Sequence, residues 1–371
     1  MSTLVSIVKD LVDVENPVDY PTLDWFNHVL LHDVTPSSST GLPWKKRGMD
    51  KGSSFVEFGE IKENAIHLYD AVVSRVLALS EGVESDPISC FIKPEPHKPS
   101  KVKDGAWRII SGVGITDCFV DRMLFGNFLN GSIEKARTLD NPLLPGFVPY
   151  FGGYRDLARK FVRPETADKS SWDWTVQGWM VTFLRRFFEA VTDSKWHGIL
   201  NNRLTALFQD AELDFEGYRF RQNCDGIMKS GCLGTIIFNS LLQLAIHVLS
   251  CMRSGEDLKP FYAVGDDTIQ ETCSEEYWDE VKKCGAIVKE RIGGWPAEFI
   301  GIYFNDTVGL PMYATKNFFR LLFAEAELLD DILAGYMRLY ANSPLFTILN
   351  ELAIRKGVTL SKDDCLTWFN G

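Results

Sequence analysis

The sequence predicts a mixed core of helices and strands, α+β or α/β, with an all-helical C-terminal part. Two observations carry this. Short runs rich in aromatic and β-branched residues, such as 161–166 and 261–264, interleave with longer stretches of helical apolar spacing. From about residue 315 only the helical pattern remains.

Bulk properties narrow the class. A chain of 371 residues, 45% hydrophobic and 24% charged, suits one large globular unit or a few subdomains around linked cores, and excludes wholesale disorder. Lys and Arg number 39 against 50 Asp and Glu, a net charge of -11, so any groove for nucleic acid must be a local basic patch on an acidic body. The eight cysteines are scattered with no CxxC pair, which argues against a common structural zinc site and a dense disulfide framework. Reduced cysteines and no cleavable secretory signal point to an intracellular protein. The most apolar stretch, 233–252, contains Asn239, Ser240, Gln243 and His247, so it reads as a buried helix, and no transmembrane segment is expected.

Taken in order, residues 35–43 form the clearest N-terminal loop, and residues 91–110, rich in Lys, Pro and His, an extended exposed segment. A helix starts at Thr116, a plausible N-cap. A short strand over 161–166 ends at Ala167-Asp168, a helix follows over 176–191, and a polar loop region runs to about Gly226. A helix spans 235–251, and a strand over 261–264, an acidic turn and a second strand over 268–270 make a hairpin. Beyond it lie a helix over 277–284 and strands over 286–288 and 298–304. His28 and His32, four residues apart, read as a structural pair on an amphipathic helix, since no third metal ligand is evident.

Three motifs carry chemistry. Gly265-Asp266-Asp267 puts two acids at a hairpin tip, where Gly265 permits the tight turn. With Asp168 at the end of another strand they supply the hard oxygen ligands that Mg²⁺ takes, although Gly-Asp alone is also a common solvent-exposed turn. Asp173 follows Asp168 by five residues; the plain alternative for this pair is a helix cap with a solvated acid. In Ser230-Gly231-Cys232-Leu233-Gly234-Thr235 the glycines allow close backbone approach to a ligand, and Thr235 and Asn239 share a helix face. The bland reading is a loop before a core helix, with Asn239 satisfied internally. Residues 91–110 hold five Lys or Arg against two acids, a positive island that suits a triphosphate, or simply an exposed solvated loop.

In this order the motifs D-x4-D, S-G-x3-T-x3-N and G-D-D resemble motifs A, B and C of the viral RNA-dependent RNA polymerases. Lys93, Glu95, Lys101, Gly105 and Arg108 match K-x-E-x5-K-x3-G-x2-R, similar to motif F, and Thr40-Gly41-Leu42-Pro43 is similar to motif G beside the template path. Gly285 to Lys289 resembles motif D, and Glu298-Phe299-Ile300-Gly301 motif E. The neighbourhoods of Trp172-Asp173-Trp174 and Phe91 to His97 look closest to the sobemovirus and luteovirus-like branch.

This resemblance implies an α+β right-hand polymerase with fingers, a palm of antiparallel sheet and flanking helices, and a small helical thumb. The implied boundaries are fingers at 1–110, palm helix and fingers return at 111–160, palm at 161–176, an insertion at 177–228, palm at 229–305 and thumb at 306–371. It implies that Asp168 and Asp266 bind two Mg²⁺ ions, or Mn²⁺, with Asp267 assisting. Asp173, Thr235 and Asn239, with Ser230 and Gly231 beside them, would read the ribose, and Arg108, Lys93 and Lys101 the triphosphate. Thr40, Gly41 and Pro43, with Lys45, Lys46 and Arg47 just after them, would line the template path. A motif D lysine acts as general acid; Lys289 is the candidate, with Arg291 or Lys283 as alternatives. Expected partners are template and product RNA, NTPs, a genome-linked protein primer and other viral replication proteins, in replication complexes of the host cytoplasm. A reverse transcriptase and a non-catalytic RNA-binding protein remain as rival readings; Asp173 and Asn239 argue against the first, and the three acidic and glycine motifs against the second.

Overall fold

The computed structural model describes residues 1–97 and 99–371; Lys98, part of the basic island, lies outside the described residues. At the centre is a four-stranded antiparallel sheet in the order Val288–Gly293, Pro164–Lys169, Asp267–Glu271, Phe261–Val264. Its inner strands carry the residues that alternate between core and cavity: Ala167 and Ile269 are buried, while Asp168 is exposed. The long helices Ile115–Ala136, Gly178–Val191 and Thr235–Ser254 bury their apolar faces in one cluster that includes Phe125, Phe188 and Phe238 in edge-to-face contact. Thr235–Ser254 is long and apolar enough to cross a membrane by composition, but most of it is buried inside this fold.

A second four-stranded sheet, Ile109–Gly112, Ile88–Ile92, Glu212–Phe215, Tyr218–Arg221, projects the basic segment. Within it Ile88–Ile92 runs parallel to Glu212–Phe215 and antiparallel to Ile109–Gly112. The C-terminal helices Ala314–Leu322, Leu329–Leu339, Phe346–Lys356 and Lys362–Asn370 close a separate apolar cluster with a three-stranded sheet over Ala297–Phe299, Ile302–Phe304 and Gly309–Pro311. The mixed helix and sheet expectation holds, as does the helical C-terminal end, preceded by one short strand.

Several local expectations are corrected. The stretch read as polar loop to Gly226 contains the helix His197–Phe208 and the hairpin Glu212–Phe215/Tyr218–Arg221. Asn201, Asn202 and Arg203 hid the helical pattern, yet Arg203 is buried because Asp121 accepts its guanidinium hydrogen bonds at 2.6 and 3.0 Å, and Asp117 lies 3.6 Å away. Thr116 is not the N-cap: the helix begins at Ile115 after Gly114, and the Thr116 hydroxyl accepts a hydrogen bond from the Trp44 indole at 2.8 Å. The expected strand over 298–304 is a hairpin broken at Ile300-Gly301, both with positive φ. The strand expected at 286–288 lies instead at Val288–Gly293. The extended segment of 91–110 contains a short helix, Pro99–Lys103, between its two strands. His28 and His32 face each other at 4.6 Å on the helix Leu23–His32.

Candidate active site

The hairpin tip has the two-residue form the sequence predicts. Val264 pairs with Asp267 across Gly265-Asp266, and Gly265 has φ +66. Its backbone N–H donates to the Ser240 hydroxyl at 2.8 Å, and Ser240 in turn donates to the Ile236 carbonyl. The buried helix Thr235–Ser254 thus sets the position of the acidic turn through a residue the sequence reading noted only as a polar break. The i, i+4 spacing of Ser240 to Ile236 was the available signal.

Asp168, Asp266 and Asp267 line one cavity of about 330 Å³ with Glu290, Glu298 and Tyr313. Asp168 and Asp266 are exposed at its mouth, whereas Asp267 is half-buried. Burial pushes the Asp267 carboxyl up to about 6, and Asp266 adds to this, against the N–H of Ile300, which donates to it at 2.7 Å. That donor is the turn of the Ala297–Phe299/Ile302–Phe304 hairpin, so the segment resembling motif E grips the second aspartate of the turn. Behind the acids lies Lys169, buried, its ammonium donating to Thr268 at 2.8 Å. Desolvation pulls it down to about 8, opposed by the charges of Asp267, Asp266 and Asp168. Sequence reading missed Lys169; a lysine beside a strand-end aspartate was its only trace.

The donor set is carboxylate oxygen, the chemistry that Mg²⁺ or Mn²⁺ requires. The residues fit such ions: Asp168, Asp266 and Asp267 open into one polar cavity, where a cation would offset their like charges. Among the described residues no three His, Cys, Asp or Glu side chains converge into a preformed cage.

Lys289 sits in a bulge, where the pairing of Val288–Gly293 with Pro164–Lys169 shifts register between Val288 and Glu290. Its ammonium donates to Asp168 at 3.0 Å. Both partners are more than half exposed, so the pair orients more than it stabilises. The alternatives are engaged elsewhere, Lys283 with Glu280 and Arg291 with Glu275, each at 2.6 Å.

Beside the acids, Asn239 donates to Asp173 at 3.0 Å and accepts from the Trp172 indole at 2.8 Å. The structure therefore joins two residues that were 66 apart in sequence. Burial raises the Asp173 carboxyl above its ordinary value, with the Asn239 hydrogen bond and the charge of Arg108 pulling the other way. Thr235 does not share this pair: its hydroxyl donates to the Lys229 and Cys232 carbonyls and closes the preceding loop. Ser230 is likewise occupied, by Ser111.

In the basic segment, Lys93 and Arg108 face each other across the open end of the strand pair, with the Lys93 N–H donating to the Arg108 carbonyl at 2.8 Å. Glu95 ties both, 3.0 Å from Lys93 and 3.7 Å from Arg108. Burial opposes it, but Lys93 with the fields of Lys316 and Arg108 holds Glu95 below the usual carboxylate range. Lys316 belongs to the helix Ala314–Leu322, so the basic loop and the C-terminal helices come within electrostatic range. Arg108 and Lys101 are exposed. Thr40 and Gly41 are buried rather than presented to a groove: the Thr40 carbonyl accepts from Ile115 at 2.8 Å, its hydroxyl bonds to the Met49 carbonyl, and a Cβ on Gly41 would lie 2.9 Å from Gly114. Pro43 is half-buried and Lys45, Lys46 and Arg47 are exposed next to it.

With this geometry in view, comparison with known proteins is direct. Residues 10–298 match the profile of the family described as viral RNA-dependent RNA polymerase. The RNA-directed RNA polymerase of mushroom bacilliform virus (isolate Australia/AUS LF-1) is 27% identical over 322 residues, covering 79% of this chain and 76% of that protein. The replicase polyprotein P2AB of southern cowpea mosaic virus is 28% identical over 280 residues, covering 70% of this chain and 28% of the polyprotein. Protein P1-P2 of potato leafroll virus (strain Potato/Scotland/strain 1/1984) is 27% identical over 304 residues, with 72% and 26% covered. The match thus spans about a quarter of these two longer relatives. The chain belongs to the viral RNA-dependent RNA polymerase family and is an RNA-directed RNA polymerase, with relatives among sobemo-, luteo- and related viruses.

Proposed function

We propose that this polymerase replicates a positive-strand viral RNA genome, extending an RNA 3′-hydroxyl by nucleotidyl transfer from NTPs. The observation that carries the reading is the junction of two devices: the cavity of Asp168, Asp266 and Asp267, and the hydrogen-bonded Asp173–Asn239 pair next to it. Two Mg²⁺ ions, or Mn²⁺, held by Asp168 and Asp266 with Asp267 assisting, would activate the hydroxyl and neutralise the triphosphate and leaving group.

The chain's own residues divide the remaining work. Arg108, with Lys93 and Lys101, captures the triphosphate by charge and hydrogen bonds. Asp173 and Asn239 offer a paired acceptor and donor to the ribose 2′-hydroxyl, so a deoxynucleotide leaves a buried polar pair short of a partner. Lys289, beside Asp168, donates a proton to the departing pyrophosphate. Lys169 stays behind the acids, its ammonium held by Thr268.

The parts follow the right-hand plan: fingers at 1–110, palm helix and fingers return at 111–160, palm at 161–176 and 229–305 around an insertion at 177–228, and thumb at 306–371. The central antiparallel sheet and the separate C-terminal helical cluster support this division. Template and product RNA and NTPs are the substrates, a genome-linked protein primer and other viral replication proteins the partners, and replication complexes of the host cytoplasm the setting. Primer extension on a homopolymeric RNA template with Mg²⁺ or Mn²⁺ tests the reading. The wild type should extend the primer, and Asp266→Ala should lose extension while binding RNA as before; incorporation that persisted in this variant would sink the catalytic assignment.

A further inference from the structure

The basic strand and the loop before the helix Thr235–Ser254 are joined by a reciprocal clasp. Ser111, three residues after Arg108 on the strand Ile109–Gly112, donates its backbone N–H to the Ser230 hydroxyl at 3.1 Å. The Ser230 N–H donates back to the Ser111 hydroxyl at 3.0 Å, and the two hydroxyls lie 3.3 Å apart. The Gly231 N–H then donates to the Ser111 carbonyl at 3.1 Å, and Gly112 bridges Gly231 in parallel. A Cβ on Gly231 would stand 2.5 Å from that carbonyl, so only glycine admits this approach.

Both ends of the loop are fixed. Upstream, the ammonium of buried Lys229 donates to the Gln222 side chain at 2.7 Å and the Ile227 carbonyl at 2.8 Å. Downstream, Thr235 closes onto Lys229 and Cys232, and one helical turn later Asn239 holds Asp173. The strand that follows Arg108 is thus hydrogen-bonded to the loop at Ser230, and the same loop, closed by Thr235, leads into the helix from which Asn239 holds Asp173. With both serine hydroxyls engaged to each other, Ser230 acts on the loop rather than on the nucleotide.

We propose that Ser111 is a specificity-determining positioning residue: it locks the loop that leads into the helix carrying Asn239 to the strand that directly follows Arg108. This rests on the polymerase reading above and adds a residue to it. Without the Ser111 hydroxyl the Ser230 N–H loses its acceptor and the Ser230 hydroxyl its neighbour, the loop sits less firmly, and a ribose and a deoxyribose are then told apart less sharply. The two serines differ from Arg108 in what they control: Arg108 touches phosphates common to both nucleotides, so its loss weakens both alike.

The test is single-nucleotide extension of a primed RNA template, comparing kcat/KM for each NTP and its 2′-deoxy analogue. Ser111→Ala should lower the ratio about five-fold, the effect of one net hydrogen bond of ordinary strength, and Ser111→Thr, which keeps the hydroxyl, should restore most of it. Ser230→Ala should match Ser111→Ala, which keeps the test open should one variant fold poorly. Arg108→Ala should raise KM for both nucleotides and leave the ratio as in the wild type. An unchanged ratio in both serine variants overturns the inference, as does a ratio that Arg108→Ala lowers equally. A wild type that extends no primer defeats the polymerase reading itself, a result separate from either of these.

Discussion

Asn239→Ala tests the ribose-reading pair most directly. Asn239 is 5% exposed and makes two side-chain hydrogen bonds, accepting from the Trp172 indole at 2.8 Å and donating to Asp173 at 3.0 Å. Truncation leaves a buried indole N–H and one carboxylate oxygen short of partners. At about 1 kcal/mol for the neutral bond and about 2 for the charged one, the loss is roughly 3 kcal/mol. With an unfolding entropy of about 2.1 cal/mol/K per residue, a chain of this length should melt about 4 °C lower. The same truncation removes one side of the 2′-hydroxyl site, and discrimination of NTP over dNTP should fall about 10- to 100-fold. Single-turnover incorporation of matched nucleotide pairs, run with a melting curve, measures both. A Trp172→Phe companion closes a double-mutant cycle, and a coupling of about 1 kcal/mol is expected because the two side chains share a bond. If Asn239→Ala melted early yet kept the wild-type ratio, the pair would be a structural strut and the ribose assignment would fall.

Arg108→Ala should raise KM for every NTP about ten-fold or more with a smaller change in kcat, read from steady-state extension, because an exposed guanidinium near Asp173 binds but does not react. Gly231→Ala should disrupt the loop, since its Cβ would lie 2.5 Å from the Ser111 carbonyl and 3.0 Å from the Gly112 Cα; incorporation should drop at least ten-fold at a near-native melting temperature. Stability should fall with acid between pH 6.5 and 4 through His247, whose burial pulls it down to about 4 from an ordinary 6.5. The unfolded state binds this proton first as pH falls, so stability is full above 6.5 and declines toward 4 by on the order of 3 kcal/mol. Chemical denaturation of wild type and His247→Gln across this range should show a flatter profile in the variant.

What the sequence disclosed and what it hid divide along a physical line. The acidic hairpin, the strand end at Asp168 and the long buried helix were legible because each rests on local pattern: alternation, a glycine at a forced turn, and unbroken apolar periodicity. The helix His197–Phe208 was not, because its Arg203 is buried and made tolerable only by Asp121 and Asp117, far away in sequence. The supports of the site were hidden for the same reason. Ile300 on Asp267, Lys169 behind the acids and Ser111 against Ser230 are all long-range or backbone partners that no spacing rule marks, and the spacing of Ser240 to Ile236 gives no hint of its contact with Gly265. Thr40 and Thr235 show the converse: their types fitted a site, but their hydroxyls are spent on holding local structure.

The acidic net charge, which required any nucleic-acid groove to be a local basic patch, is accounted for once the charges are placed. Five carboxylates, Asp168, Asp266, Asp267, Glu290 and Glu298, line the central cavity, where a cation is needed most. Under the proposed reading a bound cation would relieve their mutual repulsion, so acidity there is what such a site would require. Basic groups relevant to a triphosphate lie instead on one hairpin loop, with Lys93, Lys101 and Arg108, while Lys45, Lys46 and Arg47 form a separate exposed turn beside Pro43. At physiological ionic strength a surface charge is largely screened beyond about 8 Å, so acids elsewhere on the body do little to a triphosphate on that loop. Glu95 matters more than the whole remaining excess because it touches both Lys93 and Arg108. The quantity that governs nucleotide capture is therefore the balance within this one cluster, and a single carboxylate set between two cations decides how much of their charge a substrate meets.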